Sequence, residues 1–139
     1  YLNAGVQAKL GIQQNYSISQ KNVLRGLHGD DCTFKLVCCP IGKFLLVVVN
    51  YDQYSPYFGK WEKFRVSAVN SLQVLIPPNH LNGHLVLSEE AMFFYNQSSH
   101  YTGAKNQWSV RWDSPRFNID WPIANPNLSD RDKSALYLK

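Results

Sequence analysis

The chain is short of almost everything that marks a secreted, membrane-spanning or nucleic-acid-binding protein. It has three cysteines, Cys32, Cys38 and Cys39. An odd count with two of them adjacent does not make a disulfide framework. Neighbouring strand residues point to opposite faces, so Cys38 and Cys39 read as small apolar fillers. They lie on or beside apolar strands with no basic neighbour except Lys35, which argues against a cysteine nucleophile. A reducing cytoplasm is the expected location. No apolar run reaches membrane-spanning length, and the longest, Phe44 to Val49, suits a buried strand. Charged residues make up only 17% of the chain, and the net charge of +4 comes from scattered Lys and Arg without a basic run. A nucleic-acid binder carries a basic patch or stripe. Neither nucleic acid nor a membrane is therefore an expected partner, and a small anionic ligand fits the balance. Among the four histidines there is no His-x-His pair. The nearest two, His80 and His84, flank an expected loop-to-strand junction, where a spacing of four does not put both on one face. No metal site is expected.

What is present is a chain of 139 residues, long enough for one domain with a substantial core and too short for two. Hydrophobic residues at 45% exclude a disordered chain, and 14% aromatic residues point to β structure. Residues 1–20 are polar and rich in Gln and Asn, and Gln13, Tyr16 and Ser17 suit a strand or extended arm. Arg25 to His28 reads as a turn and Gly29-Asp30-Asp31 as a loop. Strands are predicted over Phe34–Cys39, Phe44–Asn50, Trp61–Ala68, Leu72–Ile76, His84–Leu87 and Ala91–Ser98, with one more over Trp108–Trp112. The first would place Lys35, Val37 and Cys39 on one face. The strand from Ala91 would place Phe93, Tyr95 and Gln97 together. From Ser114 onward prolines punctuate an irregular segment, and Ser129 could cap a short final helix. Many short strands between turn signals, with no long helix, predict an all-β sandwich or barrel, and a jelly roll has room for a ligand.

Chemistry concentrates in Asn22-Val23-Leu24-Arg25-Gly26-Leu27-His28, followed by Lys35. An imidazole can take and return a proton near neutral pH. Arg25 offers a planar fork to phosphate or carboxylate oxygens. Lys35 interrupts a run that would otherwise be buried, as a lysine placed to meet an anion does. One reading is cofactor-free proton transfer on an anionic substrate, with a tyrosine delivering a proton from the opposite side. The other is a loop with a surface arginine and a capping histidine. Taken alone, Tyr95 suits a core aromatic and Asp132 a solvated tail residue.

Several motifs recur in order: Asn22 to His28, Lys35-Leu36-Val37, Ser55-Pro56-x-Phe58-Gly59-x-Trp61, Ile76-Pro77, Leu87-Ser88-Glu89, Phe94-Tyr95, Ile119-Asp120-Trp121-Pro122 and Leu128-Ser129-x-x-Asp132. From about Gln13 to Asp132 the chain resembles the nucleotide-sugar 3,5-epimerases of the dTDP-4-dehydrorhamnose 3,5-epimerase type. The resemblance implies a metal-free cupin, an all-β jelly roll with a short C-terminal helical segment. It implies a homodimer that shares an N-terminal strand and acts on a nucleotide-diphospho-sugar. By this resemblance His28 is the general base and Asp132 its orienting partner. Lys35 stabilises the enolate oxygen formed from the C4 ketone, and Tyr95 is the proton donor. Arg25, Gln13, Tyr101 and Asn82 would bind substrate, with Arg25 at the diphosphate.

A 4-keto group acidifies the protons on C3 and C5, so a base, an enolate stabiliser and an opposed acid suffice to invert a centre, and no cofactor is expected. Two positions depart from the family pattern: a carboxylate usual on the central strand is Leu46, and a histidine usual after the Ile-Pro is Asn82. They motivate the alternatives of a non-catalytic sugar-nucleotide binding cupin or a 3,4-ketoisomerase. A metal-dependent cupin oxygenase, a third idea, would require bound iron or another metal. Parts of the sequence look closer to a subgroup acting on GDP-linked 4-keto-6-deoxy-heptoses. The chain opens on Tyr1, and the expectation is a single domain over residues 1–139 whose family N-terminal segment is missing.

Overall fold

The computed structural model describes residues 10–139. The first nine residues of the expected N-terminal arm lie outside that range. Nine strands follow in order: β1 (Gln13–Gln20), β2 (Leu24–Gly29), β3 (Lys35–Cys38), β4 (Lys43–Asn50), β5 (Trp61–Ser67), β6 (Val74–Ile76), β7 (His80–Val86), β8 (Glu90–Gln97) and β9 (Trp108–Ser109). Among the described residues a single 3-10 turn (Ala104–Asn106) and one short helix, α1 (Asp130–Lys133), complete the regular structure. The strands form two sheets, one ordered β1-β8-β3-β6 and the other β5-β4-β7-β2-β9. Every strand pairing is antiparallel. The result is a cupin-like jelly roll. Among the described residues no helix is long and apolar enough to cross a membrane.

The central strand β4 explains how the sheets are covered. Its residues alternate between two cores, which is why it is apolar on both faces. Phe44 and Leu46 face the space between the sheets and pack with Val37, Ile76, Val86 and Phe93. Leu45, Val47 and Val49 face the other way, onto Phe117 and Trp121 of the irregular C-terminal segment. That segment is a lid over the outer face of the five-stranded sheet. The indole N–H groups fasten it: Trp61 Nε1 donates to the Phe117 carbonyl at 2.9 Å and Trp121 Nε1 to that of Trp112 at 3.1 Å. Phe44 is fully buried, and truncating it to Ala would cost about 3–5 kcal/mol.

Three elements differ from the sequence reading. Arg25 to His28 is strand, and the glycine there marks a register break between Arg25 and His28. Gly26 sits at φ 120°, and a Cβ on it would lie 2.6 Å from Gly83 Cα, so only glycine admits this approach of β2 to β7. The strand expected from His84 begins at His80, because Asn79 adopts the left-handed region (φ 61°) immediately after Pro78 and turns the chain straight into pairing with β4. His80, Asn82 and His84 consequently share one strand face, which corrects the expectation that the two histidines do not. The strand over Trp108–Trp112 shortens to Trp108–Ser109, after which Val110 exchanges backbone hydrogen bonds with Leu27 at 2.9 and 3.0 Å and bridges to Leu136.

Candidate active site

The space between the sheets opens at one end into a cavity of about 240 Å³. Its two walls carry different chemistry. The five-stranded sheet contributes Arg25 and His28 from β2 and Asn82 and His84 from β7. The four-stranded sheet contributes Lys35 from β3 and Phe93 and Tyr95 from β8. Tyr101, Ser129, Arg131 and Asp132 close the rim.

The break in β2 turns His28 toward α1, where its Nε2 lies 2.7 Å from Oδ1 of Asp132. The approach is bent away from the ring N–H direction, so the short distance defines the pair more than its angle does. Asp132 is buried, its side chain only 2% exposed, and it is not the solvated tail residue its position suggested. Ser129 holds it twice: the hydroxyl donates to Oδ2 at 2.7 Å and accepts the Asp132 N–H as the N-cap of α1. The backbone N–H of Gly26 also donates to Oδ1 at 3.3 Å. Burial alone would raise the Asp132 pKa, but His28, Ser129 and Gly26 outweigh it and hold the carboxyl below its ordinary value.

Lys35 is 8% exposed and places Nζ 3.4 Å from Asn82 Oδ1 and 5.9 Å from the centre of the Tyr95 ring. Burial pushes its pKa down; Asp30 offsets part of this, and Arg131 adds to it. Burial pushes the Tyr95 hydroxyl up, and Tyr101 adds to that shift. Arg25 is exposed at the mouth, its Nε donating to Ser19 Oγ at 3.1 Å.

His28, Lys35, Tyr95, Asp132, Arg25, Tyr101 and Asn82 thus meet around one cavity. Gln13 stands behind it: its carboxamide oxygen accepts from Gln97 Nε2 at 3.1 Å and from the Tyr101 N–H at 2.6 Å, which steadies Tyr101. Sequence reasoning missed Arg131, whose guanidinium donates to Ser109 Oγ at 2.9 Å and Gln107 Oε1 at 3.3 Å. Its place beside Asp132 in a recurring motif was the available signal. It also missed His84, weighed only as a metal ligand. That ring is buried at the cavity wall, and burial, with Arg25 and His28 adding and Asp132 opposing, lowers its pKa to about 3, so it is neutral.

The family profile described as dTDP-4-dehydrorhamnose 3,5-epimerase matches residues 1–139. A dTDP-4-dehydrorhamnose 3,5-epimerase of Shigella flexneri is 40% identical over 124 residues, covering 87% of this chain and 68% of that protein. A dTDP-4-dehydrorhamnose 3-epimerase of Streptomyces niveus is 36% identical over 129 residues, covering 91% of this chain and 62% of that protein. The crystal structure of a dTDP-6-deoxy-D-glucose-3,5-epimerase from Legionella pneumophila, in complex with dTDP-4-keto-L-rhamnose, superposes with a TM-score of 0.87 at 33% identity. That match covers 97% of this chain and 76% of the other. The chain belongs to the dTDP-4-dehydrorhamnose 3,5-epimerase family.

Proposed function

We propose that this enzyme is an epimerase of a nucleotide-linked 4-keto-6-deoxy sugar, removing a proton from C3, C5 or both and returning one to the opposite face. The observation that carries this reading is the opposition of His28 on one sheet to Lys35 and Tyr95 on the other, across a single cavity. Inversion needs a base and an acid on opposite sides of the ring, and two facing sheets supply that arrangement.

With Nε2 turned to Asp132, Nδ1 of His28 takes the C–H proton, and the electron pair moves onto the C4 oxygen. The Lys35 ammonium meets the enolate oxygen so formed. Burial disfavours that ammonium until the oxyanion appears, so the attraction is strongest where charge develops. Tyr95 then gives its hydroxyl proton to the carbon from the far side, and the ketone is restored. Proton return from His28 to the Tyr95 phenolate through solvent resets the site. Arg25 at the mouth takes the diphosphate, while Asn82 and Tyr101 contact the sugar, with Gln13 supporting Tyr101.

A second copy of the chain fits the outer face of the four-stranded sheet. Tyr16 and Ile18 are 70% and 49% exposed there, opposite Phe94 and Met92. The three free thiols suit a reducing cytoplasm.

The test is proton NMR in deuterated water with dTDP- and GDP-linked 4-keto-6-deoxy sugars in turn. Loss of the C3 or C5 signal supports the reading and shows which centre and nucleotide are used. Binding without exchange would favour a non-catalytic cupin, and a product with its ketone moved to C3 would favour a ketoisomerase.

A further inference from the structure

We propose that His84 is a substrate-contacting specificity residue whose imidazole reads the C2 hydroxyl of the sugar. The inference rests on the epimerase reading, which fixes the order of the sugar atoms along the cavity.

His84 is 4% exposed and lines the cavity floor. Its ring stacks on Phe93 with centroids 4.2 Å apart and planes 10° apart, and it meets Phe44 at 5.3 Å. Two phenyl rings therefore fix its plane, and an apolar aromatic would pack there equally well. Among the described residues no protein group bonds its ring nitrogens, so the polar edge is turned to the cavity it lines. Neither nitrogen is sealed inside the protein, so that edge is free to bond a polar group of whatever enters the cavity. The ring is neutral, since burial and the nearby Arg25 and His28 both oppose a second positive charge. A neutral imidazole presents one donor and one acceptor, which matches a hydroxyl and not a phosphate.

The antiparallel pairing of β2 and β7 identifies the hydroxyl. It sets His84 opposite Arg25 and Asn82 opposite His28. His84 therefore lies on the Arg25 side of His28; with the diphosphate on C1 at Arg25 and His28 at C3, the hydroxyl on that side of the reacting carbon is the one on C2.

The experiment is a two-by-two comparison of wild type and His84→Phe. Each is given the 4-keto-6-deoxy sugar nucleotide and its 2-deoxy counterpart, with kcat and KM followed by deuterium exchange at C3 or C5. Wild type should favour the hydroxylated substrate in kcat/KM by roughly tenfold, the scale of one uncharged hydrogen bond. His84→Phe should lose that preference mainly through KM, and His84→Asn, which also donates and accepts, should regain part of it. A purely structural role would depress both substrates equally and leave the preference intact; that outcome overturns the assignment while the epimerase reading stands. A wild type that binds both compounds but exchanges neither overturns the epimerase reading, and the assignment falls with it.

Discussion

His28 on the second strand and Asp132 on the last helix meet at 2.7 Å, and Gly26 joins them by donating its N–H to the same carboxylate oxygen. One carboxylate therefore sets the imidazole and also pins α1 to the distorted part of β2. Asp132→Asn should damage both functions. Loss of the anion beside the base should lower the exchange rate by about 10²-fold or more, within the range general-base arrangements contribute. An amide cannot satisfy three donors, so thermal unfolding should show a loss of about 1–3 kcal/mol.

The same residue predicts a pH dependence. The folded-state pKa of Asp132 lies below its ordinary 3.8. A depressed carboxylate contributes stability that is fully present above the unfolded value and disappears as the pH falls through the folded one. Wild type should therefore lose its advantage over Asp132→Asn below about pH 4, a value set by the unfolded carboxylate. Denaturant midpoints of both proteins between neutral pH and pH 3 would reveal it. A constant difference across that range would show that the folded carboxyl is not held below its ordinary value.

Lys35 should separate activity from stability. Its ammonium is buried beside Asn82 without a carboxylate in contact. Lys35→Met keeps the stem and removes the charge, so stability should stay level or rise by about 1 kcal/mol. Exchange should fall by about 10²–10³-fold, the loss seen when an oxyanion donor is removed. Because burial holds the folded pKa below 10.5, the unfolded chain binds the extra proton between the two values. Wild type should then gain on Lys35→Met as the pH rises through that window.

How far the site was legible depended on which physical signal placed each residue. Alternation put Phe93, Tyr95 and Gln97 on one face and Lys35 with Val37 and Cys39 on another, and the structure keeps both sets inward or part-buried. Composition and turn spacing were enough for an all-β jelly roll. Asp132 was beyond such reasoning: no local pattern distinguishes it from a solvated tail acid, and its burial comes from a contact with β2 that only the fold creates. The start of β7 was misplaced for a different cause. The Asn, His and Gly residues around it carry loop propensity, and seven consecutive pairings with β4 override it. The resemblance supplied the joint assignment of His28, Lys35, Tyr95 and Asp132, which spacing alone left open.

Tyr95→Phe should divide the reaction into its two halves. The ring lies on the sheet facing His28, and its hydroxyl sits where burial favours the protonated form. Removing that hydroxyl leaves His28 and Lys35 able to form the enolate. Deuterium should still enter the starting sugar from the His28 side, while the inverted product falls by about 10²-fold or more, the lower range for a general acid. Equal loss of exchange and inversion would place Tyr95 in proton removal as well.

Gly26→Ala should test whether the break in β2 sets the base. The residue sits at φ 120°, where an L side chain is strained. Its Cβ would lie 2.6 Å from Gly83 Cα and 2.7 Å from the Asn82 carbonyl oxygen, both backbone atoms that cannot swing aside. Strain and overpacking together should cost about 2–4 kcal/mol. Relief requires β2 to move off β7, and that movement carries the Gly26 N–H away from Asp132 and His28 away from the cavity. Activity should therefore fall further than stability does, with exchange reduced even at temperatures where the variant remains folded. Gly83→Ala is the control on the other strand: its Cβ would meet Leu27 Cδ2 at 2.9 Å and the Arg25 carbonyl at 3.0 Å, the first contact being with a mobile side-chain end. It should be destabilised less and keep more exchange. If Gly26→Ala instead retains full exchange, the geometry of the break is not what aims His28.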